Sequence, residues 1–313
     1  VVETAGDFGG TWYWNRYPGA MCDVESYCYL PLLEELGYMP KHKYSFAPEI
    51  LEHSRRIARH YNLYDKALLQ TSIREMTWDE AGKRWMISTS RGDRFTAKYV
   101  AMANGPLNRP KLPGIPGINA FKGYTFHTSR WDYRYTGGDS YGNLTGLKDK
   151  RVGIIGTGAT AVQCIPHLGQ WAQKLYVFQR TPSSVAERGN RPTDPAWAAG
   201  LEPGWQRERM ENFTRVTCGV EMVVDLVDDG WTRNALSLND PAVARETARL
   251  GREMAGRREA ELLARLSDLR ERPSGTRELV DLNALAGRAL EELRIRSSSE
   301  LEIKLDLAAE SRV

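Results

Sequence analysis

Residues 150–170 read KRVGIIGTGATAVQCIPHLGQ, and residues 174–181 read KLYVFQRT. A short apolar run is stopped by paired glycines, and small and apolar residues then recur at helical spacing before a second apolar run. The pattern predicts strand, tight turn, helix, strand. Gly156-Thr157-Gly158-Ala159-Thr160-Ala161 fits G-x-G-x-x-G/A in the context that motif needs. Gly156 permits the turn, Gly158 lets a pyrophosphate approach the backbone, and Ala161 is small enough for close helix–strand packing. The helix start offers free N–H groups and a positive dipole end to phosphate. The plain alternative is a tight turn with no ligand. At the end of the second strand an acid would select NAD; here stands Gln179-Arg180-Thr181. A guanidinium suits a 2′-phosphate, so Arg180 points to NADP(H), with a solvated surface arginine as the alternative.

Upstream, PLNRPKLPGIPG at 106–117 reads as a connector. Before it, LLQTSIREMTWD, KRWMISTS and RFTAKYVAMA are separated by Glu80-Ala81-Gly82 and Arg91-Gly92-Asp93, which predicts a three-strand meander. Ile50, Leu51, Ile57 and Ala58 predict a helix over 48–60. Val1-Val2-Glu3 reads as a strand end, where an acid could bind the ribose of an earlier dinucleotide unit. Downstream, 191–255 reads as helical and polar.

The chain has 313 residues, a net charge of +3 and 41% hydrophobic residues, enough for two domains with real cores and no footprint for nucleic acid or an acidic membrane. No apolar run approaches a membrane helix. Cys22, Cys28, Cys164 and Cys218 fit no metal spacing and read as reduced thiols of a cytoplasmic protein. No metal site is expected from five scattered histidines. No aromatic residue follows Trp231, so the tail reads as a different kind of segment.

The stretch FKGYTFHTSRWD, residues 121–132, matches FxGxxxHxxxW[P/D] at every fixed position: Phe121, Gly123, His127, Trp131 and Asp132. With GGTWYWNRYPGAMCDVES at 9–26, the chain resembles the Baeyer–Villiger monooxygenases over roughly residues 1–255. The resemblance implies FAD and NADP(H) as cofactors. NADPH reduces FAD, O₂ is captured, and oxygen is inserted beside a ketone carbonyl. It implies that Glu3 binds the adenosine ribose of FAD. Thr11, Trp12, Tyr13 and Trp14 would line the flavin, with Gly9 and Gly10 allowing close approach and Tyr29 also against FAD. Ile73 would meet the adenine end. Asp23 would orient the catalytic arginine beside the flavin, with Cys22 next to it. Met21 stands where the family commonly has arginine. Thr157, Gly158, Ala159, Thr160, Ala161, Val162 and Gln163 would cradle the NADP pyrophosphate, and Arg180 with Thr181 the 2′-phosphate. His127 and Trp131 would couple the connector to the NADP unit as domains move.

The expected fold class is therefore α/β, with two Rossmann-like dinucleotide-binding domains, both incomplete, a helical insertion and a foreign-looking tail. The expected boundaries are a partial FAD domain at 1–118, a linker at 119–150, a βαβ unit at 151–190, an insertion at 191–255 and the tail at 256–313. The first glycine fingerprint and the catalytic arginine of the family are not found in this sequence, so the chain alone is expected to be inactive or nearly so. VDLNALAGRALEELR followed by LEIKLDL more weakly resembles a piece of a sensor histidine kinase. Two other readings stay open: an N- or S-oxygenating flavin enzyme, against which Trp131-Asp132 speaks, and a non-enzymatic fusion of an NADP-binding remnant with a signalling segment.

Overall fold

The structure, a computed structural model, describes residues 1–180, 185, 187–220, 224–239, 242, 245, 246, 249 and 253. The chain divides into units Val1–Ala244 and Arg245–Val313. Every element below belongs to the first; in the second, Arg249 bonds to Glu246 and Glu253. Thr181 and the kinase-like stretch lie outside the described residues.

In chain order the elements are α1 Thr11–Trp14, α2 Ser26–Tyr29, α3 Ala47–His60, β1 Ile73–Asp79, β2 Arg84–Thr89, β3 Arg94–Ala97, α4 Tyr133–Thr136, β4 Arg151–Ile155, α5 Ala159–Trp171, β5 Lys174–Phe178, α6 Pro195–Ala199, α7 Trp205–Thr217 and α8 Gly230–Asn239. Helix α3 begins with a proline in its first turn, carries Glu49 there and ends with Arg59 and His60, each placed favourably for the helix dipole. Its face of Ala47, Ile50, Leu51 and Ala58 is buried.

Strands β1–β3 form an antiparallel meander. Trp78 pairs with Trp85 across it, their rings 5.5 Å apart and edge-to-face, a cross-strand contact of about 0.5–1 kcal/mol. The expected third strand is shorter than its apolar run. The β2–β3 ladder ends at Ala97 opposite Trp85. Beyond it Tyr99 and Met102 are 91% and 71% exposed. Apolar composition alone does not continue a strand that has no partner to bond.

The expected βαβ unit forms, with β4 and β5 parallel and α5 as the crossover. At Val2 the chain makes an isolated parallel bridge to Leu68, and Glu3 N–H donates to the Leu68 carbonyl at 3.0 Å, so the opening residues pair there without forming a strand. One buried cluster joins Tyr17 and Ala20 to Ala47, Leu144, Leu147, Ile154 and the α5 residues Ala161, Cys164 and Leu168. A second joins Cys22, Leu30, Leu33, Tyr44 and Ile50. Trp12 packs against both. Among the described residues no helix is long and apolar enough to cross a membrane, and no group of three His, Cys, Asp or Glu could hold a metal.

Candidate active site

The glycine turn opens where β4 ends. Gly156 has φ 100°, a conformation a side chain would strain, and its N–H donates to the Phe178 carbonyl at 2.8 Å. Gly158 has ordinary angles, so its lack of a side chain matters for space. A Cβ on either glycine would meet none of the described residues within 4 Å. Among the described residues no side chain caps the start of α5, so its first N–H groups remain for a ligand. The donor set therefore fits a pyrophosphate. Ala161 faces the core at 6% exposure, where a larger residue would push the helix off the sheet. Gln179 Nε2 donates to Thr157 Oγ1 at 2.8 Å and braces the turn. Val162 N–H donates to the Gly158 carbonyl. Arg180 lies just past β5, exposed, with no ion-pair partner among the described residues.

At the other end of the chain, Glu3 Oε1 accepts from Ala5 N–H at 2.7 Å and from the Thr4 hydroxyl at 3.1 Å. Its Oε2 has no hydrogen-bond partner among the described residues. The two glycines before α1 have different tasks. A Cβ on Gly9 would lie 2.4 Å from Leu51 Cδ1, whereas Gly10 faces open space. Gly9 at φ 134° strains any side chain and lies against the tip of Leu51, while Gly10 faces none of the described residues within 4 Å. Trp12 Nε1 donates to the Tyr29 hydroxyl at 2.9 Å. Tyr13 and Trp14 pack edge-to-face, and the Arg130 guanidinium stacks 4.0 Å above the Trp14 ring. Thr11 begins α1, accepting from Asn15 at its carbonyl. Ile73 opens β1 beside a bulge, 37% exposed.

Asp23 is exposed on a mount fixed at both ends. Cys22 is held by a 3.0 Å bond from its N–H to the Ser45 carbonyl and by Arg188 Nη1 on its own carbonyl at 2.9 Å. Burial pushes the Cys22 thiol up to about 11, which keeps it neutral. At the far end, Arg209 binds both carboxylate oxygens of buried Glu25, at 2.6 and 2.8 Å. Asp229 Oδ2 accepts the Glu25 N–H at 3.1 Å. Burial raises the Glu25 carboxyl above its ordinary range, against the pull of Arg209.

The fingerprint residues form a strut. His127 accepts from Ser129 N–H at the start of a helical turn, and burial beside Arg130 lowers its affinity for a proton. Trp131 packs on the cluster that contains α5 and donates to Thr136 Oγ1 at 3.1 Å. Asp132 caps α4 through Arg134 N–H at 3.0 Å and is bonded by the Tyr124 hydroxyl. Phe121 is 65% exposed, and a Cβ on Gly123 would strike its ring. The Tyr133 hydroxyl donates to the Arg16 carbonyl at 2.5 Å. A cleft of about 830 Å³ lies between this strut and α1, lined by Tyr13, Trp14, Arg16, Arg130, Trp131 and Tyr133 among others.

Arg188, Glu25, Arg209 and Asp229 are the residues that spacing alone missed. Glu25 carried a faint signal, as the acid preceding the run SYCYL. Arg209 carried none, being one of several cations on a polar helix.

Residues 22–197 match the flavin-binding monooxygenase-like family. Neopentalenolactone D synthase of Streptomyces avermitilis is 66% identical over 232 residues, which are 74% of this chain and 39% of the relative. A Baeyer–Villiger monooxygenase of Streptomyces coelicolor is 54% identical over 235 residues, 75% of this chain and 39% of the relative. The solved polycyclic ketone monooxygenase of Thermothelomyces thermophila superposes with a TM-score of 0.69 at 50% identity, covering 74% of this chain and 39% of that one. The chain thus spans about 39% of the length of these relatives.

Proposed function

The chain belongs to the flavin-binding monooxygenase-like family, and from that premise we propose that it carries cofactor-facing segments of an NADPH- and FAD-dependent Baeyer–Villiger monooxygenase, which inserts one atom of O₂ beside a ketone carbonyl to give an ester or lactone. When bound, FAD supplies the redox and oxygen-activating chemistry and NADPH the hydride that starts it. The residues of this chain bind, orient and shield. The first N–H groups of α5 hold the pyrophosphate, and Arg180 with Thr181 the 2′-phosphate. Glu3 takes the ribose of FAD. The Trp12–Tyr29 pair and its aromatic neighbours exclude water from the flavin edge. Asp23, on its fixed mount, orients a guanidinium toward developing negative charge. The four free cysteines support a reducing, cytoplasmic setting.

The observation that carries this reading is the docking of Tyr17–Met21, which follows the flavin-lining aromatics, directly on the helix of the glycine turn. Relatives named as a lactone synthase and as a polycyclic ketone monooxygenase support a bulky cyclic ketone as substrate. The test is a chimera in which this chain's matched residues replace their counterpart in the Streptomyces avermitilis synthase. Given NADPH and ¹⁸O₂, it is expected to convert a cyclic ketone to a lactone carrying one ¹⁸O atom. Oxygenation of amines or sulfides with no ketone turnover would assign the N- or S-oxygenating chemistry instead.

A further inference from the structure

Three contacts bind the first turns of α5 to the segment that leads to Asp23. Tyr17 packs in one buried cluster with Ala161 and Cys164 of the helix. Met21 N–H donates to Gln163 Oε1 at 2.8 Å. Gly19, at φ 78°, lies so close to the helix that a Cβ there would be 2.6 Å from the Gln163 carbonyl. The Gln163 side chain has a second bond, from Nε2 to the Ala159 carbonyl at 3.0 Å. Its oxygen and its NH₂ group are thus each assigned by a different partner, and flipping the amide would lose both bonds. Ala159 is the first residue of α5, the turn that faces the phosphate. A planar amide therefore spans the distance from the ligand-binding turn to the backbone two residues before Asp23.

We infer that Gln163 is a latch through which NADP(H) at the glycine turn fixes the Met21–Asp23 segment; this rests on the cofactor reading above. Gln163 is a positioning residue in this scheme, since its side chain is turned to Met21 and acts through it. The contact uses the Met21 backbone, so it does not depend on which side chain stands there. A phosphate on the first N–H groups orders the turn that carries the Ala159 carbonyl. An ordered turn holds the Gln163 amide, and the amide holds the Met21 N–H. By linkage, whatever NADP(H) gains from the latch, the segment gains equally.

The test is hydrogen exchange at the Met21 amide in this chain, with and without saturating NADP⁺, beside calorimetric titration of NADP⁺. Binding is expected to slow that exchange by about 5-fold or more. In Gln163→Leu the exchange should be the same with and without NADP⁺, and the affinity for NADP⁺ should fall by the factor of protection lost. Gln163→Glu, which keeps an oxygen for the Met21 N–H but loses the donor to the Ala159 carbonyl, should reduce the NADP⁺-dependent protection while the fold is kept. A merely structural role would speed exchange equally in both states. If wild-type chain binds NADP⁺ with no change at Met21, or both variants keep full NADP⁺-dependent protection, the latch is overturned and the cofactor reading survives. If the wild-type chain binds no NADP⁺, the cofactor reading falls and the latch with it.

Discussion

Arg209→Ala is expected to lower the unfolding free energy of this chain by about 3–5 kcal/mol. The side chain of Glu25 is 1% exposed and that of Arg209 14%, so water cannot replace the lost guanidinium. Arg209 also donates to the Leu226 carbonyl at 2.7 Å and lies over the Trp197 ring at 5.2 Å, so truncation removes packing as well. The nearby Lys43 offsets part of the stranded charge, and Asp229 opposes it. The deficit should depend on pH in a defined direction. Burial already raises the Glu25 carboxyl in the folded chain, and losing Arg209 raises it further. The folded variant then takes up a proton more readily than the unfolded one. Its stability relative to wild type must therefore improve as pH falls through the raised range of Glu25, and worsen as pH rises. Glu25→Gln combined with Arg209→Met removes both charges and should recover most of the loss. Urea unfolding of the variants at a series of pH values measures each point. A deficit under 1 kcal/mol in the single variant at neutral pH would show that the pair is not an anchor.

Gly19→Ala should cost about 3 kcal/mol. The left-handed backbone at this position is unfavourable for a side chain by about 1–2 kcal/mol. The new Cβ would also lie 2.6 Å from the Gln163 carbonyl and 2.7 Å from His167 Nε2. The first obstacle is helix backbone and cannot swing aside, and such overpacking adds about 1–3 kcal/mol. Gly117→Ala is the control. Gly117 has the same φ, 78°, in the left-handed region, but a Cβ there meets none of the described residues within 4 Å, so it should lose only about 1–2 kcal/mol. The difference between the two variants in urea unfolding isolates the contact between the Tyr17–Met21 segment and α5. Equal losses would mean that the loop stands off the helix.

The βαβ unit was legible from end to end because its chemistry is local. Gly156 answers to a backbone angle, Gly158 to open space and Ala161 to a packing distance, and each requirement falls within a few residues of the last. Helix α3 was legible from its apolar spacing and starts one residue earlier than read, at Ala47. The third meander strand was over-read, since RFTAKYVAMA gives hydrophobicity but not the ladder partner that β2 stops supplying at Trp85. The supports of Asp23 were not legible. Gln163 and Met21 are 142 residues apart and Arg209 and Glu25 184, and nothing in the spacing of a polar helix says which of its cations will be buried.

The direct measurement is calorimetric titration of this chain with NADP⁺ and with NAD⁺, in wild type and in Arg180→Ala. A 2′-phosphate held by Arg180 makes a charge-assisted contact worth about 1.5–3 kcal/mol. NADP⁺ should therefore bind at least about tenfold more tightly than NAD⁺, and Arg180→Ala should bring the two affinities together. Equal binding of both nucleotides by the wild-type chain, or a preference that survives Arg180→Ala, would contradict the assignment of the glycine turn and Arg180 as an NADP(H) site.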